Sequence, residues 1–166
     1  MAVTPQLARL RPTCLQACRR SVDALSSLLR GDPDARTEEL DLNWLPGPLE
    51  QALTEIGRIA AARTVSVATA GTAVLNEAYP SGPPDDPVWD GDVRFATPAE
   101  VAKIAAELCA LGSIDFSRAS ATCSSLQADL VAGVQAAVYL ARGMADLTEF
   151  YDRAAANGEA VAMWWD

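Results

Sequence analysis

SSLQADLVAGVQAAVYLARGMADLTEFYDRAAANGEAVAMWWD, Ser124 to Asp166, is the stretch from which the fold of this chain is read. Leu126, Leu130, Val134, Ala137 and Ala141 recur at steps of three and four, which sets them along one face of a helix and predicts a buried stripe. A second stripe, Leu140, Met144, Leu147, Tyr151 and Ala154, keeps the period but is displaced by one residue, about 100° around the axis, so two packing neighbours are expected. Gly143 lies where the stripes exchange, and a glycine inside a helix costs roughly 0.5–1 kcal/mol relative to Ala, which predicts a kink there. Asn157-Gly158 supplies a left-handed stop. Ala160 to Trp165 is short, apolar and ends in aromatics, as a strand would. Trp164 and Trp165 then point to opposite faces of that strand, and both are expected to be buried.

The sharpest local signal lies upstream, in Thr97-Pro98-Ala99-Glu100. The Thr97 hydroxyl can accept from the Glu100 amide while the Glu100 carboxylate reaches back to the Thr97 N–H, and Pro98 suits the first helical position. Val101, Ile104, Ala105, Leu108 and Leu111 form the buried face of this helix, Lys103 and Glu107 pair on its exposed face, and Gly112 ends it. Val93 to Ala96, just before it, reads as a short strand.

Towards the start, Gln6 to Leu10 between Pro5 and Pro12 reads as a strand. Thr13 is expected to cap a helix running to Arg20, and Ser21 a second one from Val22 to Arg30 with Gly31 as its stop. Asp32 to Leu40 lacks periodicity and is expected to be a surface loop. Pro48 opens a helix that the apolar spacing carries to about Ala62. Thr64 to Ala78 fits strand at its start and helix further on, and is read here as helix. Tyr79 to Asp92, with its prolines and glycines, reads as a loop, and Ser113 to Ser125 as a connection.

The 166 residues carry 50% hydrophobic and 21% charged side chains, enough for one globular domain spanning 1–166. No run approaches membrane-spanning length and Met1 to Arg20 lacks the apolar core of a signal peptide, so a cytoplasmic location is expected, with no membrane association. A net charge of −9 opposes nucleic-acid binding and favours a basic protein as partner. The absence of histidine excludes His-dependent triads and His metal ligands. Cys14 and Cys18 are one helical turn apart, whereas Cys109 and Cys123 are too widely spaced for the second half of a zinc knuckle, and all four are read as reduced thiols.

Two segments, VRFATPAEVAKIAAEL (Val93 to Leu108) and LTEFYDRAAANGEAVAMWW (Leu147 to Trp165), resemble the YfbM-like family of small bacterial proteins of unknown function. The shared pattern is a short strand, a Thr-Pro-x-Glu helix start, and a late helix whose aromatic pair precedes Ala-Ala, Gly and a strand. Gln6 to Leu29 is similar to the family's first strand and paired short helices, and Leu40 to Leu53 to its Asp-Leu-x-x-Trp helix. Pro46 and Pro48 depart from that helix. The resemblance implies an α+β fold, a small mixed sheet of short strands covered by several helices and helix-rich overall. It implies no reaction and no cofactor.

For function, the stretch Asp85 to Asp92 draws the eye. Its acids are interrupted by Pro87, Val88 and Trp89 and no Glu follows, so it does not match a calcium loop, and no metal site is expected. Tyr79 and Trp89 on a proline-stiffened loop could instead anchor an interface with Asp85, Asp86, Asp90 and Asp92 around them. With no phosphate loop, nucleophile elbow or activating base in view, the expected role is a non-catalytic protein-binding module of inhibitor or immunity type. The alternative is a small enzyme using clustered carboxylates in a pocket, for which Glu38-Glu39, Glu50 with Glu55, and Asp146, Glu149 and Asp152 are the candidates.

Overall fold

Pro5–Leu10 (β1) and Ala160–Trp165 (β5) pair antiparallel along their whole length, from Pro5 opposite Trp165 to Leu10 opposite Ala160. The computed structural model describes residues 4–76, 79, 91–122 and 136–165. Around the central pair, Glu38–Asp41 (β2) adds to β1, Arg94–Ala96 (β4) to β5, and Ala73–Val74 (β3) to β4, giving the order β2-β1-β5-β4-β3. Every described pairing is antiparallel. The architecture is α+β and rich in helix, as the sequence implies. Strand direction is the part that no local signal carries.

Alternation along the strands divides the core in two. Leu7, Val161, Met163 and Ala96 face Pro46–Glu55 (α3), Ile59–Ala70 (α4), Pro98–Leu111 (α5), Ser117–Thr122 (α6) and Ala136–Ala156 (α7). Ala8, Leu10, Ala162, Trp164 and Phe95 face the other way, towards Pro12–Cys18 (α1) and Val22–Leu29 (α2). Both faces of β5 are therefore apolar, as expected for a strand buried between layers. The stripe Leu140, Met144, Leu147, Tyr151 and Ala154 is buried throughout, and the Tyr151 hydroxyl donates to the Ala68 carbonyl at 2.7 Å, tying α7 to α4.

Two charged residues, Arg9 and Glu159, are buried beside the larger core. Arg9 lies beneath Phe150, its guanidinium carbon 5.9 Å from the ring centroid. It pairs with Glu38 at 2.7 Å and stands 3.5 Å from Glu159, whose other oxygen accepts from the Thr37 hydroxyl at 2.8 Å. Glu38 also receives Arg153 of α7 at 2.6 Å. The chain of charges thus links β2, β1 and α7. Its net worth is small, because desolvation consumes most of the attraction, but removal of one member would leave a buried charge uncompensated.

The helix start at Thr97 forms as its sequence requires. Thr97 Oγ1 accepts from the Glu100 amide at 3.4 Å, and Glu100 Oε2 accepts from the Thr97 amide at 2.8 Å. That backbone hydrogen bond holds the Glu100 carboxyl below its usual range. The Ser21 cap also forms, and Gly112 and Gly158 take positive φ at the helix ends where a left-handed residue is needed.

Several expectations change. The first helix begins at Pro12 without a side-chain cap, so Thr13 lies inside it, and it ends at Cys18 instead of Arg20. The segment expected as loop after Asp32 contains β2, whose Leu40 turns inward between exposed acids. The helix read from Pro48 to Ala62 is two helices, α3 and α4, broken at Ile56 to Arg58, where Gly57 adopts φ +78°. Thr64 to Ala70 is helical, and the chain then turns into β3. The segment read as a connection after Ser113 holds α6. Of the first stripe, Leu126, Leu130 and Val134 lie outside the described residues, Ala137 is half-buried and Ala141 is exposed. Trp165 is 51% exposed, not buried.

α7 runs unbroken through Gly143, and the glycine's value there is contact. A Cβ at this position would overlap the side chain of buried Leu45, with Cγ at 2.9 Å. Gly143→Ala should therefore destabilise the protein by about 1–3 kcal/mol in denaturant unfolding, although helix propensity alone favours Ala. The deficit should shrink in a Leu45→Ala background, a coupling that a double-mutant cycle reads directly. Glu100→Ala should cost about 1 kcal/mol at neutral pH. Because a carboxyl with a lowered folded pKa stabilises only above its unfolded value, this deficit should fade as pH drops through the folded pKa, as acid-dependent unfolding would record.

Candidate functional site

The loop from Leu42 to Pro46 divides two clefts at one end of the molecule. The Leu42 amide donates to the Pro5 carbonyl at 3.1 Å, and Pro5 pairs with Trp165, so the loop leaves the sheet beside the end of β5. Within it, Asn43 takes φ +48° while its amide donates to Asp41 Oδ1 at 2.7 Å, an Asx turn that short polar side chains tolerate. The next residue, Trp44, is 58% exposed.

The first cleft, about 310 Å³, lies between the start of α3, the end of α4 and the ends of β4 and β5. Trp165, Glu50, Asp92 and Arg94 line it. Burial raises the Glu50 carboxyl above its ordinary value, opposed by a hydrogen bond from Ser66. Arg94 donates from Nε to the Ala70 carbonyl at 2.7 Å and stands 3.9 Å from Asp92. Gly71, just after α4, has φ +68°, and a Cβ there would stand 2.6 Å from Met163 Sδ and 3.2 Å from the Phe95 amide nitrogen. This glycine lets the helix end close onto the sheet and shapes the floor of the cleft.

The second cleft, about 290 Å³, is bounded by the end of β2, the 42–46 loop and α7. Asp41, Tyr139, Arg142 and Asp146 line it, with Arg142 3.8 Å from Asp146. Burial raises the Tyr139 phenol, and nearby Asp41 raises it further. Each cleft thus combines one guanidinium–carboxylate pair with one further carboxylate, Glu50 or Asp41.

The residues singled out in the sequence are partly separated. Asp92 lines the first cleft. Tyr79 packs instead on the α1/α2 face of the sheet, and its hydroxyl donates to the Cys18 carbonyl at 2.8 Å. Burial, with a contribution from Cys18, pushes its phenol up to about 12. Asp85, Asp86, Trp89 and Asp90 lie outside the described residues. Glu38, Glu39, Asp146 and Glu149 pair with Arg9, Arg36, Arg142 and Arg153 respectively. Cys14 and Cys18 lie on α1, on the opposite side of the sheet from Cys109 of α5, and Cys123 is outside the described residues. Among the described residues no three Cys, Asp or Glu side chains converge as metal ligands, and no helix is long and apolar enough to cross a membrane.

The fold can be compared with solved ones at this point. The crystal structure of YfbM from Escherichia coli, a protein of unknown function, superposes with a TM-score of 0.61 over 98% of this chain and 99% of that one, at 19% identity. This chain has the YfbM fold. No protein-family model matches it, and no curated protein matches it in sequence. At that identity the YfbM likeness transfers architecture alone, so the clefts stand on their own chemistry.

Sequence reasoning named Glu50 among the acids and Trp165 as a strand end, but did not join them. They are far apart along the chain and meet only because α3 starts beside the end of β5. Since burial raises the Glu50 pKa, its deprotonation opposes folding as pH rises. Glu50→Gln should match the parent protein in acid and exceed it in stability increasingly as pH climbs through the Glu50 pKa, measured by urea unfolding across pH.

Proposed function

We propose that this chain is a non-catalytic binding module, of the inhibitor or immunity kind, that takes a basic segment of another protein across the end bearing the two clefts. The observation that carries this reading is the pair of half-exposed tryptophans, Trp44 in the 42–46 loop and Trp165 at the end of β5, beside clefts that hold four carboxylates against two guanidiniums. Tryptophan supplies large contact area at low entropic cost and is enriched among residues that dominate interface energy. The net charge of −9 draws a basic partner towards any part of this surface, and the acidic stretch that ends at Asp92 adds to that attraction. Such a partner would be met in the cytoplasm, a compartment that keeps free thiols such as Cys14, Cys18 and Cys109 reduced.

A second reading, a carboxylate enzyme, draws on Glu50, whose carboxyl is raised by burial in a cleft that also holds Asp92. Asp92 stands 3.9 Å from Arg94 beside it. That reading requires a turnover that Glu50→Gln abolishes.

The binding reading is tested with fluorescein-labelled octa-arginine, followed by anisotropy. Trp44→Ala with Trp165→Ala leaves the net charge unchanged, so a diffuse electrostatic attraction would persist in full. The double variant should bind at least about tenfold more weakly than the parent, the loss expected for aromatic anchors. Equal binding by the two proteins would refute the reading.

A further inference from the structure

The geometry points to a subsite for one arginine side chain of the partner, seated in the cleft at the end of β5 with its guanidinium between the Trp165 ring and the Glu50 carboxylate. This rests on the binding reading above and names the group that the first cleft takes.

Four features of the cleft share one electrostatic sign. α4 ends there, with Thr69 and Ala70 in the wall, so the carbonyl end of a twelve-residue helix faces the space and presents partial negative charge. α3 starts there, but Pro46 and Pro48 have no N–H, so Gly47 supplies the sole backbone donor of its first three positions. The usual anion-binding character of a helix start is therefore largely removed. The cleft's own cation, Arg94, is engaged by the Ala70 carbonyl and by Asp92. Glu50 remains with no guanidinium partner among the described residues, and burial makes an incoming cation more valuable to it.

The aromatic wall then selects among cations. Trp165 is half exposed at the cleft edge while its neighbour Trp164 is buried on the far side of the sheet. A planar guanidinium can stack on an indole face and still direct its N–H groups to a carboxylate, which a compact ammonium cannot do in the same way. About 310 Å³ accommodates one such side chain and not a folded element.

The test uses arginine amide as the probe and the indole N–H resonances of the intact protein as the readout, with Trp165→Leu identifying its signal. Arginine amide should move the Trp165 resonance saturably, and citrulline amide, its neutral counterpart of similar shape, should not. Glu50→Gln should weaken the effect about fivefold, the upper end for a solvent-accessible ion pair, while Trp44→Leu should leave it intact. An unmoved Trp165 signal, an equal response to citrulline amide, or full affinity in Glu50→Gln each overturns the subsite. If octa-arginine still depends on the tryptophans in that case, the binding reading survives and only the arginine seat is lost.

Discussion

The zipper between β1 and β5 is the constraint on which the other elements depend. Its register sets Leu7, Val161 and Met163 towards the five-helix layer and Ala8, Leu10, Ala162 and Trp164 towards α1 and α2. A slip of one residue would exchange those sets and drive Arg9, now held by Glu38 and Glu159, into the apolar layer beneath α1 and α2. The buried arginine thus penalises the wrong register even though its net contribution to stability is modest. The edge strands are short, β3 only two residues long, and β2 carries acids, features that discourage pairing with another chain.

The helices then close on this sheet through contacts at backbone distance. Leu45 rests against Gly143 and the end of α4 rests against β4 and β5 at Gly71, two places where a methyl group would already be in the way. Both contacts border the clefts, so the features that pack the helices also shape the surface where Trp44 and Trp165 emerge. Packing contacts and cleft walls therefore share residues.

Elements with a strong local code were legible in the sequence. The Thr97 capping box, the Gly112 and Gly158 stops and the apolar run at the C-terminal strand each specify their own geometry within a few residues. β2 was hidden because Glu-Glu-Leu-Asp offers a single apolar side chain to bury and reads as a polar connection. The break between α3 and α4 was hidden because the apolar spacing continues across Gly57, and a lone glycine in a helical pattern is usually tolerated. Trp165 was misjudged for a different reason: alternation shows that it faces α3, but only the tertiary arrangement shows that α3 begins with small and cyclic residues that leave the ring uncovered. The cleft itself gathers side chains from five separate segments, and no spacing rule reaches that far.

The pairing of Ala8 with Ala162 means that the middle of the sheet joins the two most distant described parts of the polypeptide. As the protein is made, β1 emerges with Leu7 on one face and Ala8 and Leu10 on the other, and waits for its partner until every element between β1 and β5 has been translated. Native tertiary structure therefore forms late, after release of β5 from the exit tunnel, and at the pace set by closing a very long loop. In the interval the exposed β1 strand is the segment with most need of a chaperone's shelter.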